Sequence, residues 1–248
     1  VTTRQVARIM PSTQAGPLAP QLTVALALRL AMLATFRLVL SLVLGITLRG
    51  RRHIPRSGPA VLISNHQSHL DTLVLITLLP WRQWLHVRPV AAADYWVRSG
   101  DMSLSARATR YFALDVLGVV PIERGRRAPA VAAADAPPPT PAEREARVMA
   151  VLSGVLGALE RGEIVIMFPE GTRGGKDLNE RAVAMAKLKA GVSYAAQRMP
   201  HVPFVPIVTK GLATVLPRGA YIPVPHFIDA WVGAPVRFGG GVEPTRDA

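Results

Sequence analysis

The chain has 248 residues, half of them hydrophobic and only 18% charged, and carries a formal net charge of +13. That length suits one catalytic domain with a short appendage, and the charge asks for an anionic partner: a nucleic acid, an anionic membrane surface or a phosphorylated small molecule. There is no cysteine, which excludes thiol catalysis, disulfides and thiolate metal sites.

From Val1 to Leu70 there are eight Arg and no acidic residue. Leu22 to Leu48 carries fifteen Leu, Val, Ile or Phe residues, interrupted by Arg29 and Arg37. On a membrane-insertion scale the fifteen contribute roughly −4 to −9 kcal/mol and the two Arg roughly +5 to +7, so spanning is nearly neutral. The stretch is read as a helix embedded in the membrane without spanning it, or lying shallowly in it, its Arg side chains snorkelling, with a true span as the second choice; a buried core helix is the remaining alternative, for which 27 residues is long. No cleavable signal peptide is expected, since no small-residue cleavage site follows the apolar run. Arg49, Arg51 and Arg52 come next, as at a cytoplasmic boundary facing anionic lipid.

Ala60 to Ser64 is a short apolar run after Gly58-Pro59, and Leu70 to Leu79 is apolar up to Pro80. The pattern predicts a buried strand, a turn and a buried helix. The turn is Asn65-His66-Gln67-Ser68-His69-Leu70-Asp71. On one continuous helix a five-residue separation would put His66 and Asp71 about 140° apart. Across a strand-to-helix turn the carboxylate can bond one imidazole nitrogen and leave the other as a base for a hydroxyl. That is a hydrolase triad without its nucleophile, which would be a substrate alcohol. Ser68-x-x-Asp71 fits a helix capping box equally, with His66 a packed turn residue.

Further along, strands are expected near Leu85 to Val90 and Leu117 to Arg124, with a helix over Ala106 to Leu114 between them. Ala128 to Pro141 is rich in Ala and Pro, which predicts a disordered or extended loop. Glu143 to Arg161 has a core-facing stripe at helical spacing. Glu163 to Phe168 reads as a buried strand opening into Pro169-Glu170-Gly171-Thr172-Arg173-Gly174-Gly175, where open α/β sheets place ligands. A helix over about Glu180 to Gln197, an edge or irregular strand over Val202 to Val208, and a last strand over Phe227 to Val236 complete the chain.

Four stretches, His66 with Asp71, Gly118 to Arg124, Phe168 to Arg173 and Val202 to Val208, occur in the order and approximate separation that mark the glycerolipid acyltransferases. From about Arg49 to Val236 the chain resembles the lysophosphatidic acid (1-acyl-sn-glycerol-3-phosphate) acyltransferase family. The resemblance implies an α/β fold, a mixed sheet flanked by helices, with residues 1–50 as an N-terminal membrane-binding helical segment and 51–248 as the catalytic domain. It implies transfer of a fatty acyl group from acyl-coenzyme A or acyl carrier protein to a lysophospholipid hydroxyl, with no metal or cofactor. His66 would be the general base and Asp71 its orienting partner. Arg124, with Glu170, Gly171, Thr172 and Arg173, would bind the phosphorylated acceptor, and Glu170 would either bond glycerol hydroxyls or hold an arginine. The active site would face the cytoplasm on the cytoplasmic membrane.

Pro121, Gly174 and Ala91 to Ala93 depart from the family's usual residues, so the acceptor stays open among lysophosphatidate, other lysophospholipids, and amino-acid or sugar lipids. Three other readings compete. A non-catalytic basic protein binding membrane or nucleic acid is one, but the basic residues are scattered and aromatics are 6%, unlike a single-strand binder. A lipid hydrolase is another, without a Gly-x-Ser-x-Gly elbow. The third is a metal site of His66, His69 and Asp71, for which no further ligand cluster is apparent.

Overall fold

The computed structural model describes residues 20–68, 70–93, 103–122, 140–170, 191–216 and 224–238. Helix α1 (Pro20–Val43) leads into β1 (Ile46–Arg49), a 3-10 turn (Arg51–His53), β2 (Ala60–Ser64) and α2 (Leu70–Leu78). A second 3-10 turn (Trp81–His86) precedes β3 (Val87–Ala92), and α3 (Leu104–Tyr111) runs through a π turn (Phe112–Val116) to β4 (Val120–Ile122). Then follow α4 (Pro141–Glu160), β5 (Ile164–Met167), α5 (Gly191–Arg198), β6 (Phe204–Lys210), α6 (Leu212–Val215) and β7 (Ile228–Val232).

Among the described residues the strands form one seven-stranded mixed sheet in the order β1-β7-β6-β2-β5-β3-β4. β6, β2, β5, β3 and β4 run parallel, while β7 pairs antiparallel with β6 and parallel with β1. Alternation along the strands splits the core. Leu62, Ile164 and Ile166 pack on one face with Leu33 of α1 and Leu75, Ile76 and Leu79 of the α2 region. Val61, Val165 and Met167 pack on the other with Leu152, Val155 and Leu159 of α4 and Ala195 and Ala196 of α5. Both faces are therefore covered at β2 and β5, whose residues are almost all buried, which explains their unbroken apolar sequences.

Three expectations are corrected. Of the two readings of residues 202–208, edge or irregular strand, the second holds and the first is overturned, since β6 is interior, between β2 and β7. Its proline is accommodated by a bulge: between the pairs Ile207–Val232 and Phe204–Val236, β6 has two residues and its partner three. Pro206 lies in that interval with its carbonyl bonded by Gly233 N at 2.8 Å, so the missing N–H falls where the ladder is already interrupted. The helix read from Glu143 begins at Pro141, because Thr140 and Glu143 close a capping box, Glu143 N donating to Thr140 Oγ1 and Thr140 N to Glu143 Oε2.

The third correction concerns the arginines of α1. Arg29 does not snorkel: it is 1% exposed and donates Nη2 to Val87 O at 2.6 Å. Arg37 likewise donates Nη1 to Thr77 O at 2.5 Å. Ala25, Arg29, Leu33, Leu40 and Leu44 are buried against the domain, while Val24, Leu28, Leu38 and Leu42 on other faces of the helix stay exposed. Val24–Leu42 is apolar and long enough to cross a membrane, with 22% of it buried. β1, immediately after α1, belongs to the sheet. The Ala/Pro-rich loop to residue 139, and the part of the predicted 180–197 helix that carries Lys187 and Lys189, lie outside the described residues.

Candidate active site

β2 and β5 are adjacent and parallel, so the turn after Ser64 and the turn after Met167 leave the same end of the sheet side by side. Carboxyl ends of strands in open α/β sheets are where chain direction changes leave room for ligands. Here that room holds His66 and Asp71 from one turn and Phe168 and Glu170 from the other.

Asp71 is fully buried in the first turn of α2. Its Oδ2 accepts from His66 Nδ1 at 2.8 Å, from Gln67 N at 2.5 Å and from Ser68 N at 2.9 Å. The carboxylate bonds the imidazole and also closes the turn at the helix start, but only as half of a capping box, since Asp71 N donates to Ser68 O and Ser68 Oγ accepts from Leu70 N instead. With a carboxylate on Nδ1, that nitrogen carries the proton and Nε2 is the basic one. Nε2 has no acceptor or donor among the described residues, and the His66 side chain is 21% exposed.

Two contacts fix the ring further. Phe168 stacks on it, with centroids 4.3 Å apart and planes 23° from parallel. Asn65 extends the β2–β6 ladder by one step beyond the strand: its Oδ1 accepts from Thr209 N at 2.8 Å and its Nδ2 donates to Thr209 O at 2.9 Å. The amide side chain stands in for backbone at the point where β2 turns away, and so sets the position of the next residue, His66. Neither the stack nor the Asn65–Thr209 pairing was read from the sequence. Asn at the exit of a predicted strand was the available signal for the second.

Glu170 is buried, and its Oε1 accepts from His66 N at 3.4 Å. Burial pushes its carboxyl above the usual carboxylate range; the Asp71 charge adds to the rise, while the His66 amide bond and ring oppose it. The structure therefore brings His66, Asp71 and Glu170 together. Arg124, Gly171, Thr172, Arg173 and His69 lie outside the described residues. No group of three or more His, Asp or Glu placed to hold a metal occurs among the described residues.

The arrangement is a carboxylate-oriented imidazole with no protein nucleophile in contact with it among the described residues, a geometry that can activate an incoming hydroxyl. Comparison with known proteins agrees in kind. Residues 45–210 match the family model described as Acyltransferase. The 1-acyl-sn-glycerol-3-phosphate acyltransferase alpha of Ovis aries is 30% identical over 165 residues, 66% of this chain and 44% of that protein. The protein of the same name from Homo sapiens matches at the same identity and coverage. The matched stretch thus spans less than half the length of these curated relatives. Among solved structures, the 1-acyl-sn-glycerophosphate (LPA) acyltransferase PlsC of Thermotoga maritima shares the fold with a TM-score of 0.56 at 17% identity, over 87% of this chain and 72% of that one.

Proposed function

The chain belongs to the acyltransferase family, and from that premise we propose that it transfers a fatty acyl group from a thioester donor to the free hydroxyl of a lysophospholipid. The observation that carries this reading is the His66–Asp71 pair, with Nδ1 held at 2.8 Å and Nε2 left open. The name shared by the relatives, 1-acyl-sn-glycerol-3-phosphate acyltransferase, supports lysophosphatidate as acceptor and phosphatidate as product.

In the proposed step His66 Nε2 takes the proton of the acceptor hydroxyl as its oxygen attacks the thioester carbonyl. The tetrahedral intermediate expels the thiolate, the C–S bond breaks as the new ester forms, and the imidazolium returns its proton to the sulfur. Asp71 stabilises the imidazolium during this exchange. No metal or cofactor takes part; acyl-coenzyme A or acyl carrier protein serves as co-substrate. Arg124, Gly171, Thr172 and Arg173 bind the acceptor phosphate, for which a planar, permanently charged guanidinium is suited. Glu170 lies close enough to His66 to position the glycerol hydroxyl beside Nε2.

The protein works on a lipid surface. Exposed Val24, Leu28, Leu38 and Leu42 on a helix whose inner face is packed on the domain support a helix lying in the interface of an anionic membrane rather than crossing it. Arg49, Arg51 and Arg52, shortly after that helix, support a cytoplasmic orientation of the active site.

Product analysis with labelled acyl-coenzyme A or acyl carrier protein, with and without lysophosphatidate, tests the proposal. Labelled phosphatidate formed only with the acceptor is the expected result. Free fatty acid released at the same rate without acceptor would indicate hydrolysis and contradict it.

A further inference from the structure

At the end of the sheet opposite His66, where β3 and β5 begin, three guanidinium groups surround one carboxylate. Glu163, just before β5, accepts on Oε1 from Arg88 Nε at 2.8 Å and Nη2 at 2.7 Å, and on Oε2 from Arg161 Nη2 at 2.9 Å. Arg29 reaches the same place from α1 and bonds Val87 O, next to Arg88. Its Nε is buried without an acceptor, and the nearby Glu163 carboxylate is bonded by Arg88 and Arg161 and not by Arg29. Burial above all, then the Arg88 charge, brings its pKa down to about 10 against the opposing pull of the Glu163 charge, so it remains cationic at neutral pH. A buried cation with incomplete hydrogen bonding and a like charge beside it is an expensive arrangement unless something anionic completes it.

The free ends of the two arginines converge. Nη1 of Arg88 and Nη1 of Arg29 lie 2.4 and 2.7 Å from where a Cβ at Gly118 would stand, so together they occupy the space of any side chain at that position. Gly118, before β4, has φ of 66°, so the chain is doubly committed to glycine there. Neither Nη1 donates to a protein group among the described residues, and Arg88 is partly exposed, which gives solvent a way in. Distances of 2.4 and 2.7 Å from one point leave the two nitrogens no more than about 5 Å apart, so a single oxyanion oxygen beside Gly118 can accept from both at the usual length of about 2.8 Å.

We propose that Arg29, Arg88 and Gly118 form a second anion site, for a phosphate-class oxyanion, at the end of the sheet away from the acceptor site. Phosphate chemistry suits the two-cation excess of the cluster. Its occupant bridges α1 to β3 and thereby fastens the helix to the domain. The group can come from inorganic phosphate or from a lipid phosphodiester, since Val24 and Leu28 expose an apolar surface on the same turns of α1 that bring Arg29 inward.

The test measures thermal unfolding of the full chain in detergent as inorganic phosphate replaces chloride at constant ionic strength. The background variant Arg124→Ala/Arg173→Ala removes the two arginines of the proposed acceptor site, so this experiment stands apart from the acyltransfer reading. Phosphate should raise the midpoint in that background, and Arg29→Met should weaken phosphate binding by about tenfold or more, as expected for loss of a charge-assisted bond. If Arg29→Met does not fold, Arg88→Gln, which leaves Glu163 paired with Arg161, should give the same loss. No stabilisation by phosphate in the background variant, or undiminished binding in the arginine variants, would overturn the site. Flotation with phosphatidylglycerol and phosphatidylcholine vesicles separates the sources: phosphate competing with phosphatidylglycerol binding assigns a lipid phosphodiester, and phosphate binding without competition assigns the free ion, both upholding the site.

Discussion

Asp71 Oδ2 lies 2.8 Å from His66 Nδ1, and the same oxygen accepts the backbone amides of the two residues that follow His66. Orientation of the base and closure of the turn are thus one device, and substitutions can separate them. Asp71→Asn keeps an oxygen for the amides, so folding should survive with a loss of about 1–2 kcal/mol, while transfer falls on the order of 10²–10⁴-fold. Asp71→Ala strands two amides and should cost about 1–3 kcal/mol for each in addition. Thermal unfolding and acyl-transfer rates on the two variants check this; equal activity in Asp71→Asn and wild type would remove Asp71 from the reaction.

Asn65 is bonded to Thr209 on both sides of its amide. Asn65→Ala should lower stability by about 1–3 kcal/mol and loosen the position of His66. The expected signature is a fall in kcat larger than any change in KM, measured by steady-state kinetics.

How much of this could be read in advance depended on whether the signal was local. The strand Ala60–Ser64 and the helix from Leu70 were legible, because a buried parallel strand and the helix after it are unbroken apolar runs ending at a turn. The pairing of His66 with Asp71 followed from their spacing across that turn. What escaped was set by the register of distant segments. Thr209 lies 144 residues beyond Asn65, and only the β2–β6 pairing brings them together. Phe168 was visible as a strand end, but its stacking on His66 depends on β5 being next to β2. Pro206 misled because the bulge that accommodates it is built by residues 233–235. Arg29 misled for a related reason: its acceptor, Val87 O, is 58 residues away, so an arginine read as reaching for the membrane surface is turned into the domain.

The buried Glu170 carboxyl gives a pH dependence of definite sign. Its folded value is raised, by burial first, so its contribution to stability is fully present below the unfolded-state value and is lost as pH rises through the raised one. Glu170→Gln should remove that decline. Followed upward from the ordinary glutamate range of about 4, the wild-type unfolding midpoint should fall relative to that of the variant; identical profiles would show that Glu170 titrates normally.

The exposed face of α1 predicts a division between lipid binding and folding. Leu28→Glu/Leu42→Glu should reduce vesicle flotation by about tenfold or more, since each buried Leu contributes about 1.5–3 kcal/mol, and leave the unfolding midpoint nearly unchanged. Leu33→Glu, on the face buried in the core, should instead unfold the domain. Unchanged flotation in the double variant would place the membrane contact elsewhere.

The most direct test compares wild type with His66→Ala in detergent, using labelled acyl-coenzyme A and lysophosphatidate, after matched thermal unfolding has shown both to be folded. Wild type should form phosphatidate, and His66→Ala should be slower by on the order of 10²–10⁴-fold. Phosphatidate formed at the same rate by folded His66→Ala would contradict the assignment of His66 as the base.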